Sequence, residues 1–171
     1  MKYIYKDIEL YKQLHKTRSY GDTGHNYCSD IISFIKETNA ASYIDFGCGT
    51  GSLRKSLLGY GFRIDEFDPA IPGKDKIPKK NYDLVITTDV LEHLYENEID
   101  NFFEEIMMLN PKFMYHAVST RDAIIKLPDG TSCHKCIQNS NWWKEKLEKN
   151  TKAKKINVHD NHDLSIFKVV I

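Results

Sequence analysis

Apolar residues along this chain follow two alternating rhythms. Short apolar runs give way to stretches with three- and four-residue spacing, the pattern of strands exchanging with helices in an α/β fold. Residues 6–16 and 24–38 predict two N-terminal helices. In the second, Tyr27, Cys28, Ile31, Ile32 and Ile35 mark one buried face. Between them Ser19-Tyr20-Gly21-Asp22-Thr23-Gly24 reads as a polar loop, and Asn39 with the alanines after it ends the segment. Tyr43, Ile44 and Phe46 make a short first strand, followed by Gly47, Gly49 and Gly51 and a helix over 51–58 that stops at Gly59. A second strand is expected over 62–68, ended by Pro69. Residues 69–83 hold Pro69, Pro72, Pro78 and several lysines, so a loop is predicted, with room for only a very short strand near Ile77. Residues 82–90, Y-D-L-V-I-T-T-D-V, read as a central parallel strand buried on both faces. An amphipathic helix follows over 97–109, capped by Asn97, with Ile99, Phe102, Phe103, Ile106 and Met107 on one face. Residues 113–118 are the next strand. A long polar loop over 119–141, a helix around 142–149 and strands over 156–158 and 164–171 complete the chain.

At 171 residues the chain suits one domain large enough to bury its own core. Lys+Arg and Asp+Glu are both 24, so no global positive field draws in a nucleic-acid backbone, and a nucleic-acid partner is not expected. No apolar run approaches the ~20 residues of a membrane span, and Met1-Lys2-Tyr3 does not open a signal peptide. The cysteines are Cys28, Cys48, Cys133 and Cys136. Cys48 lies inside the glycine turn, a poor place for a disulfide, so a reducing cytoplasm is the expected compartment.

Strand, glycine turn and helix over 43–58 form the first half of a βαβ unit whose turn lets a ligand lie against bare backbone. A dinucleotide fingerprint would read G-x-G-x-x-G. Here the third glycine comes one residue early and Asp45 precedes the turn, where a carboxylate repels a pyrophosphate and attracts an ammonium or sulfonium group. The run D-F-G-C-G-T-G resembles motif I of the class I S-adenosylmethionine-dependent methyltransferases. The resemblance implies a Rossmann-like α/β sheet, reduced around its third strand because residues 69–83 depart from the family pattern, with a C-terminal antiparallel hairpin. It implies residues 1–40 as N-terminal helices and a lid, with a plain helix connection as the alternative for the polar loop, and 41–171 as the Rossmann-like core. It also implies S-adenosylmethionine as cofactor, on Asp45 for the methionine end, the turn Gly47, Cys48, Gly49 and Gly51, and Asp89 with Val90 at the rim. An acid ~20 residues past the glycines suits the ribose of a nucleoside or dinucleotide alike. Asp68 is the choice, with Asp65 and Glu66 as register alternatives, and Asp75 is a weak candidate for adenine.

Methyl transfer from a sulfonium needs the nucleophile held ~3 Å from the methyl group and its proton managed. Asp89, Glu92 and His93 stand at i, i+3 and i+4 at the carboxyl end of a central strand, and would share one face if a helical turn follows. Two carboxylates and an imidazole suit a divalent cation such as Mg or Mn, or another transition metal. His134 is the candidate fourth ligand and His116 the runner-up. D-V-L-E-H resembles the E-x-x-E-H element of the small-RNA 3′-terminal 2′-O-methyltransferases and the ubiquinone-pathway O-methyltransferases, with aspartate in place of the first glutamate. Two alternatives stand beside the metal: Glu92 and His93 structuring the turn, and His93 or His134 as a metal-free general base. A second resemblance, to small methyltransferases of phage and bacterial genomes, rests on F-D-P-A-I-P-G, D-L-V-I-T-T-D-V-L-E-H, S-T-R-D-A, L-P-D-G-T-S-C-H and Trp142-Trp143.

Other motifs weigh less. Cys133-His134-Lys135-Cys136 is a lone C-x-x-C where structural zinc wants two such pairs. His159-Asp160-Asn161-His162-Asp163 reads as a polar hairpin turn, and the lysines of 144–155 as a solvated face. Trp142 and Trp143 read as helix-start aromatics with one packed inward. The expectation is O-methylation of a small polar substrate, a sugar, phosphate-bearing metabolite or surface-glycan precursor, with Asp89, His93 and His134 catalytic. By analogy with the family, Arg121 and Lys126, in the loop beside His134, are placed to meet an anionic or carbohydrate acceptor. RNA ribose 2′-O-methylation and a non-catalytic cofactor-binding module are the alternatives.

Overall fold

A computed structural model describes residues 5–17 and 20–171. Met1–Tyr3 and Ser19, on which the readings of the N-terminus and the polar loop drew, lie outside the described residues. Six strands form one sheet: β1 (Tyr43–Phe46), β2 (Asp65–Phe67), β3 (Leu84–Thr88), β4 (Phe113–Ser119), β5 (Lys155–Asn161) and β6 (Leu164–Val170), in the order β2-β1-β3-β4-β6-β5. The first four run parallel, whereas β6 is antiparallel to β4 and to β5, so the sheet closes on the expected C-terminal hairpin. The helices are α1 (Ile8–Thr17), α2 (Cys28–Thr38), α3 (Ser52–Gly59), α4 (Ile99–Met107) and α5 (Ser140–Thr151). None among the described residues is long and apolar enough to cross a membrane.

The two-residue period of the strands sorts the core into two layers. Leu84, Ile86, Tyr115 and Ala117 face one side, with Ile31 and Ile35 of α2 and Leu53 and Leu57 of α3. Val85, Met114 and Val118 face the other, with Phe102, Phe103 and Ile106 of α4 and Trp143 and Leu147 of α5. Every residue of β3 is buried, as its unbroken apolar run requires.

Residues 69–83 add no strand, so β2 stands at the edge where the family pattern has a third strand beyond it. Lys74 O accepts from Asp68 N at 3.0 Å, and Lys74 N donates to Ile71 O at 3.0 Å; the segment folds back on itself and brings Lys74 beside the glycine turn.

Several element boundaries differ from the sequence reading. The second strand is shorter than 62–68. The helix expected over 24–38 begins with a 3-10 turn, Thr23–Tyr27, before α2. That expected over 97–109 begins with the 3-10 turn Glu96–Glu98, and its cap is not Asn97. The Glu98 carboxylate reaches back to accept from Tyr95 N at 2.9 Å and also holds Lys6 N at 2.7 Å. The final hairpin is longer than expected: His159, Asp160 and Asn161 belong to β5, and Asn161 pairs with Leu164, leaving His162 and Asp163 as the turn.

Candidate active site

The glycine turn is held by its own amides. Gly47 N and Cys48 N donate to Phe67 O at 2.7 and 3.1 Å, Thr50 N to Gly21 O at 3.0 Å and Gly51 N to Cys48 O at 2.9 Å. Gly49 N donates to Asp68 Oδ2 at 2.8 Å. Every backbone N–H from Gly47 to Gly51 therefore has a partner within the protein, and the turn has no free amide to cradle a pyrophosphate. Positive φ at Gly47 (92°), Gly49 (51°) and Gly51 (83°) explains the residue type. A side chain at Gly47 would meet Val90 Cγ2 at 2.5 Å, and one at Gly49 would strike the backbone of Gly21.

A cavity opens at the carboxyl ends of β1 and β3. Gly47, Gly49, Asp68, Asp89 and Val90 line it, and Tyr5, Asp7, Ile8, Tyr11, His15, Tyr20 and Gly21 cover it from the N-terminal segment. Three residues read as cofactor contacts lie elsewhere. Cys48 lines the second cavity described below. Gly51 is turned toward the Glu66–Lys74 pair, because it caps α3 rather than the cavity. Asp45 sits behind the wall formed by Phe46 and Gly47. It is buried, its Oδ1 has no hydrogen-bond partner, and burial, with Glu66 and Asp68 nearby, pushes its pKa up to about 8.

Asp68 stands just past the end of β2, its oxygens accepting from Gly49 N and from Ala70 N at 2.8 Å. Each carboxylate oxygen can accept a further hydrogen bond, so capacity remains for a diol. The register alternatives are engaged elsewhere, Asp65 by Lys80 and Tyr82 and Glu66 by Arg54 and Lys74. Asp75 lines neither cavity.

The second cavity, about 470 Å³, lies between the segment 20–27 and the loop after β4, and shares Tyr20, Gly21, Gly47, Asp89 and His93 with the first. Glu92, His93 and His134 offer ligand atoms that all lie within 4.8 Å of one another. Asp89 is not in this group. Its φ of +53° and the 3-10 turn Leu91–His93 break the helical spacing on which the shared face was expected. Its carboxylate turns to the covering segment, accepting from Thr23 Oγ1 and from Tyr27 OH at 2.8 Å. His116 points into the α4 layer, with Nδ1 2.8 Å from Thr87 Oγ1 and its ring against Phe103, so it is no ligand to this cluster.

Backbone contacts bring the cluster together across forty residues of chain. Leu127 N donates to Thr131 O at 2.9 Å, making a small hairpin of L-P-D-G-T, and Lys135 N and Cys136 N then donate to Glu92 O at 2.7 and 3.1 Å. His134 Nδ1 sits 2.6 Å from Arg121 O, and His93 Nδ1 sits 3.0 Å from Cys133 O and 2.9 Å from Tyr11 OH. The tautomers that satisfy those carbonyls carry the proton on Nδ1 and the lone pair on Nε2. Glu92 is fully buried. Its Oε1 accepts from Ser119 N at 3.0 Å and its Oε2 has no partner. Burial, with Asp89 nearby, raises its proton affinity well above that of an ordinary carboxylate. Burial, with His134 adjacent, lowers that of His93 to a pKa of about 3. Tyr11 and Tyr20, whose hydroxyl and ring pack on His93, were not legible as site residues; no motif marks them.

The comparisons with known proteins bear on the fold and on the family. No curated protein sequence matches. Among solved structures, the Burkholderia thailandensis 1,6-didemethyltoxoflavin-N1-methyltransferase, with 1,6-didemethyltoxoflavin and S-adenosylhomocysteine bound, superposes with a TM-score of 0.66 at 11% identity, over 99% of this chain and 92% of that one. A DhpI–SAH complex gives 0.60 at 15% identity over 95% of each chain. The magnesium protoporphyrin IX methyltransferase of Synechocystis PCC 6803, with SAH bound, gives 0.60 at 13% identity over 99% of this chain and 89% of that one. At such identities the likeness carries the fold alone. The sequence itself matches the family model of a methyltransferase domain over residues 20–160. With most of the chain inside that match, and a glycine turn that has no amide left for a diphosphate, the chain belongs to the methyltransferase-domain family and is a class I S-adenosylmethionine-dependent methyltransferase.

Proposed function

We propose that the protein methylates a hydroxyl of a small polar acceptor, a sugar, phosphate-bearing metabolite or glycan precursor, at the Glu92–His93–His134 cluster with a divalent cation bound there. The observation that carries this reading is the unpartnered Oε2 of Glu92, buried beside two imidazoles. A buried carboxylate oxygen with no donor is costly unless a cation or a proton offsets it. Both histidines hold Nδ1 against a carbonyl, the arrangement that aims an Nε2 lone pair at a metal. Two imidazoles and one carboxylate favour Mn, Fe or Zn over Mg, which prefers all-oxygen sites. When bound, the cation would lower the pKa of an acceptor hydroxyl. His93 fits the ligand role better than that of a metal-free base, since its lowered proton affinity makes it a poor proton acceptor at neutral pH.

The remaining roles fall to the chain's own groups. Asp68 would hold the ribose, and Phe67, Val90, Leu94 and Phe102 supply apolar wall for the nucleoside. Tyr20, common to both cavities, would exclude water from the path between them. Arg121, only 4.0 Å from Asp163 and on the rim of the second cavity, is placed to meet an anionic acceptor. The size of that cavity suits a small molecule.

The test is formation of S-adenosylhomocysteine from S-adenosylmethionine across a panel of hydroxylated acceptors, with and without chelator. Turnover that stops with chelator and returns with Mn²⁺, Fe²⁺ or Zn²⁺ is the expected result. Turnover indifferent to chelator would remove the metal from the reading and leave the methyl transfer.

A further inference from the structure

S-adenosylmethionine carries a carboxylate on its amino-acid end, and the glycine turn has nothing left with which to bind it. Each N–H from Gly47 to Gly51 is already donated inside the protein. Lys74, the nearest cation to the turn among the described residues, is spent on Glu66 at 3.0 Å and on Gly49 O at 3.4 Å. Among the described residues the other charged groups on the cavity wall are acids already engaged: Asp7 with Lys135, Asp68 with two amides, Asp89 with Thr23 and Tyr27, and Glu98 with the amides of Lys6 and Tyr95.

Among the histidines that line the two cavities, His15 differs. His93 and His134 have Nδ1 tied to a carbonyl, whereas neither ring nitrogen of His15 has a hydrogen-bond partner among the described residues. Its ring packs edge-on against Tyr20, with centroids 5.7 Å apart. It also stands at the glycine end of the cavity. The point where a Cβ would sit on Gly21 is 3.1 Å from Gly49 Cα and 3.4 Å from His15 Cε1, so the imidazole and the turn flank the same spot.

We propose that His15 of α1 is the donor that binds the carboxylate of the cofactor's amino-acid end, replacing the backbone amides that the turn has used up. The inference rests on the cofactor reading above and adds the contact that distinguishes the amino-acid end from a bare nucleoside. Burial favours the neutral ring, which still presents one N–H.

The experiment is calorimetric titration of wild-type protein and His15→Ala with S-adenosylmethionine and with decarboxylated S-adenosylmethionine, which keeps the sulfonium and the ammonium. Wild type should prefer the carboxylated compound. In His15→Ala its affinity should fall roughly 10- to 100-fold, the range for hydrogen bonds to charged groups, while affinity for the decarboxylated compound stays within about twofold. The second ligand thereby reports that the variant is folded. Equal losses for both ligands, or no loss for the carboxylated one, would overturn the assignment. If wild type bound neither compound, the cofactor reading would fall and this inference with it. If wild type bound both equally, only the carboxylate contact would fall.

Discussion

The glycine turn and the Glu92–His93–His134 cluster are the two halves of the proposed site, and they are built on opposite plans. The turn is contiguous, backbone-made and internally satisfied: its amides close on Phe67, Asp68, Gly21 and Cys48, and its glycines answer positive φ and close approach. The cluster is made of side chains from two distant segments, and it keeps valence in reserve in Glu92 Oε2, beside imidazoles of which His93 Nε2 has only a long 3.5 Å contact with Tyr20 OH. A surface that must bind by shape can be complete before its ligand arrives. One that must coordinate or exchange a proton has to remain incomplete, and the missing partners identify it.

The contrast can be broken most severely at Gly49. An alanine there would hold a left-handed φ and push its methyl group into the Gly21 backbone, separating the covering segment from the turn. Strain and displacement together are expected to cost about 2–5 kcal/mol, read by calorimetry as roughly 30- to 5,000-fold weaker cofactor binding. At Gly47 the clash is with a valine side chain that can shift, so Gly47→Ala should cost less.

The second test concerns Asp45, the exception to the satisfied character of the cofactor side. A folded-state pKa of about 8 lies above the unfolded value near 3.9, so folding takes up a proton between them. The stability that Asp45 contributes to the free protein should therefore fall as pH rises from about 5 to 8, by up to about 4 kcal/mol. Glu92, whose pKa is raised, and His93 and His116, whose pKa values are lowered, act over the same range, so the difference between wild type and Asp45→Asn in melting curves across it decides the matter. A difference that stays constant from pH 5 to 8 would mean that water or another donor already serves the carboxylate.

The mildest substitution sharpens the comparison from the other side. Glu92→Gln keeps an acceptor for Ser119 N and removes the charge that two imidazoles surround. Turnover should drop on the order of 100-fold while cofactor affinity stays within about twofold. An equal loss in both would merge the two regions into one functional unit.

Legibility followed the same division. D-F-G-C-G-T-G could be read because the turn's requirements are local: each glycine answers a φ or a contact set within a few residues. The run Leu84–Thr88 could be read because burial on both faces needs only an unbroken apolar stretch. Asp68 could be placed on the cavity by counting from the glycines. Asp89 could not be separated from Glu92 and His93, because spacing predicts a shared face only if the backbone stays helical, and here it turns through a positive φ. Tyr11 and His15 carried no signal, since aromatic residues and histidines on an amphipathic N-terminal helix read as ordinary packing, and Tyr20 carried only that of the polar loop it belongs to.

By itself the sequence determined the order of elements, the family and the loss of a third strand, because periodicity, glycine spacing and proline content act through the local backbone. The tertiary structure decided which polar groups stay unpaired. That outcome depends on where the loop 119–141 and the N-terminal segment come to rest, which is set by long-range hydrogen bonds to Glu92, Asp89 and Gly21 that leave no mark on neighbouring residues.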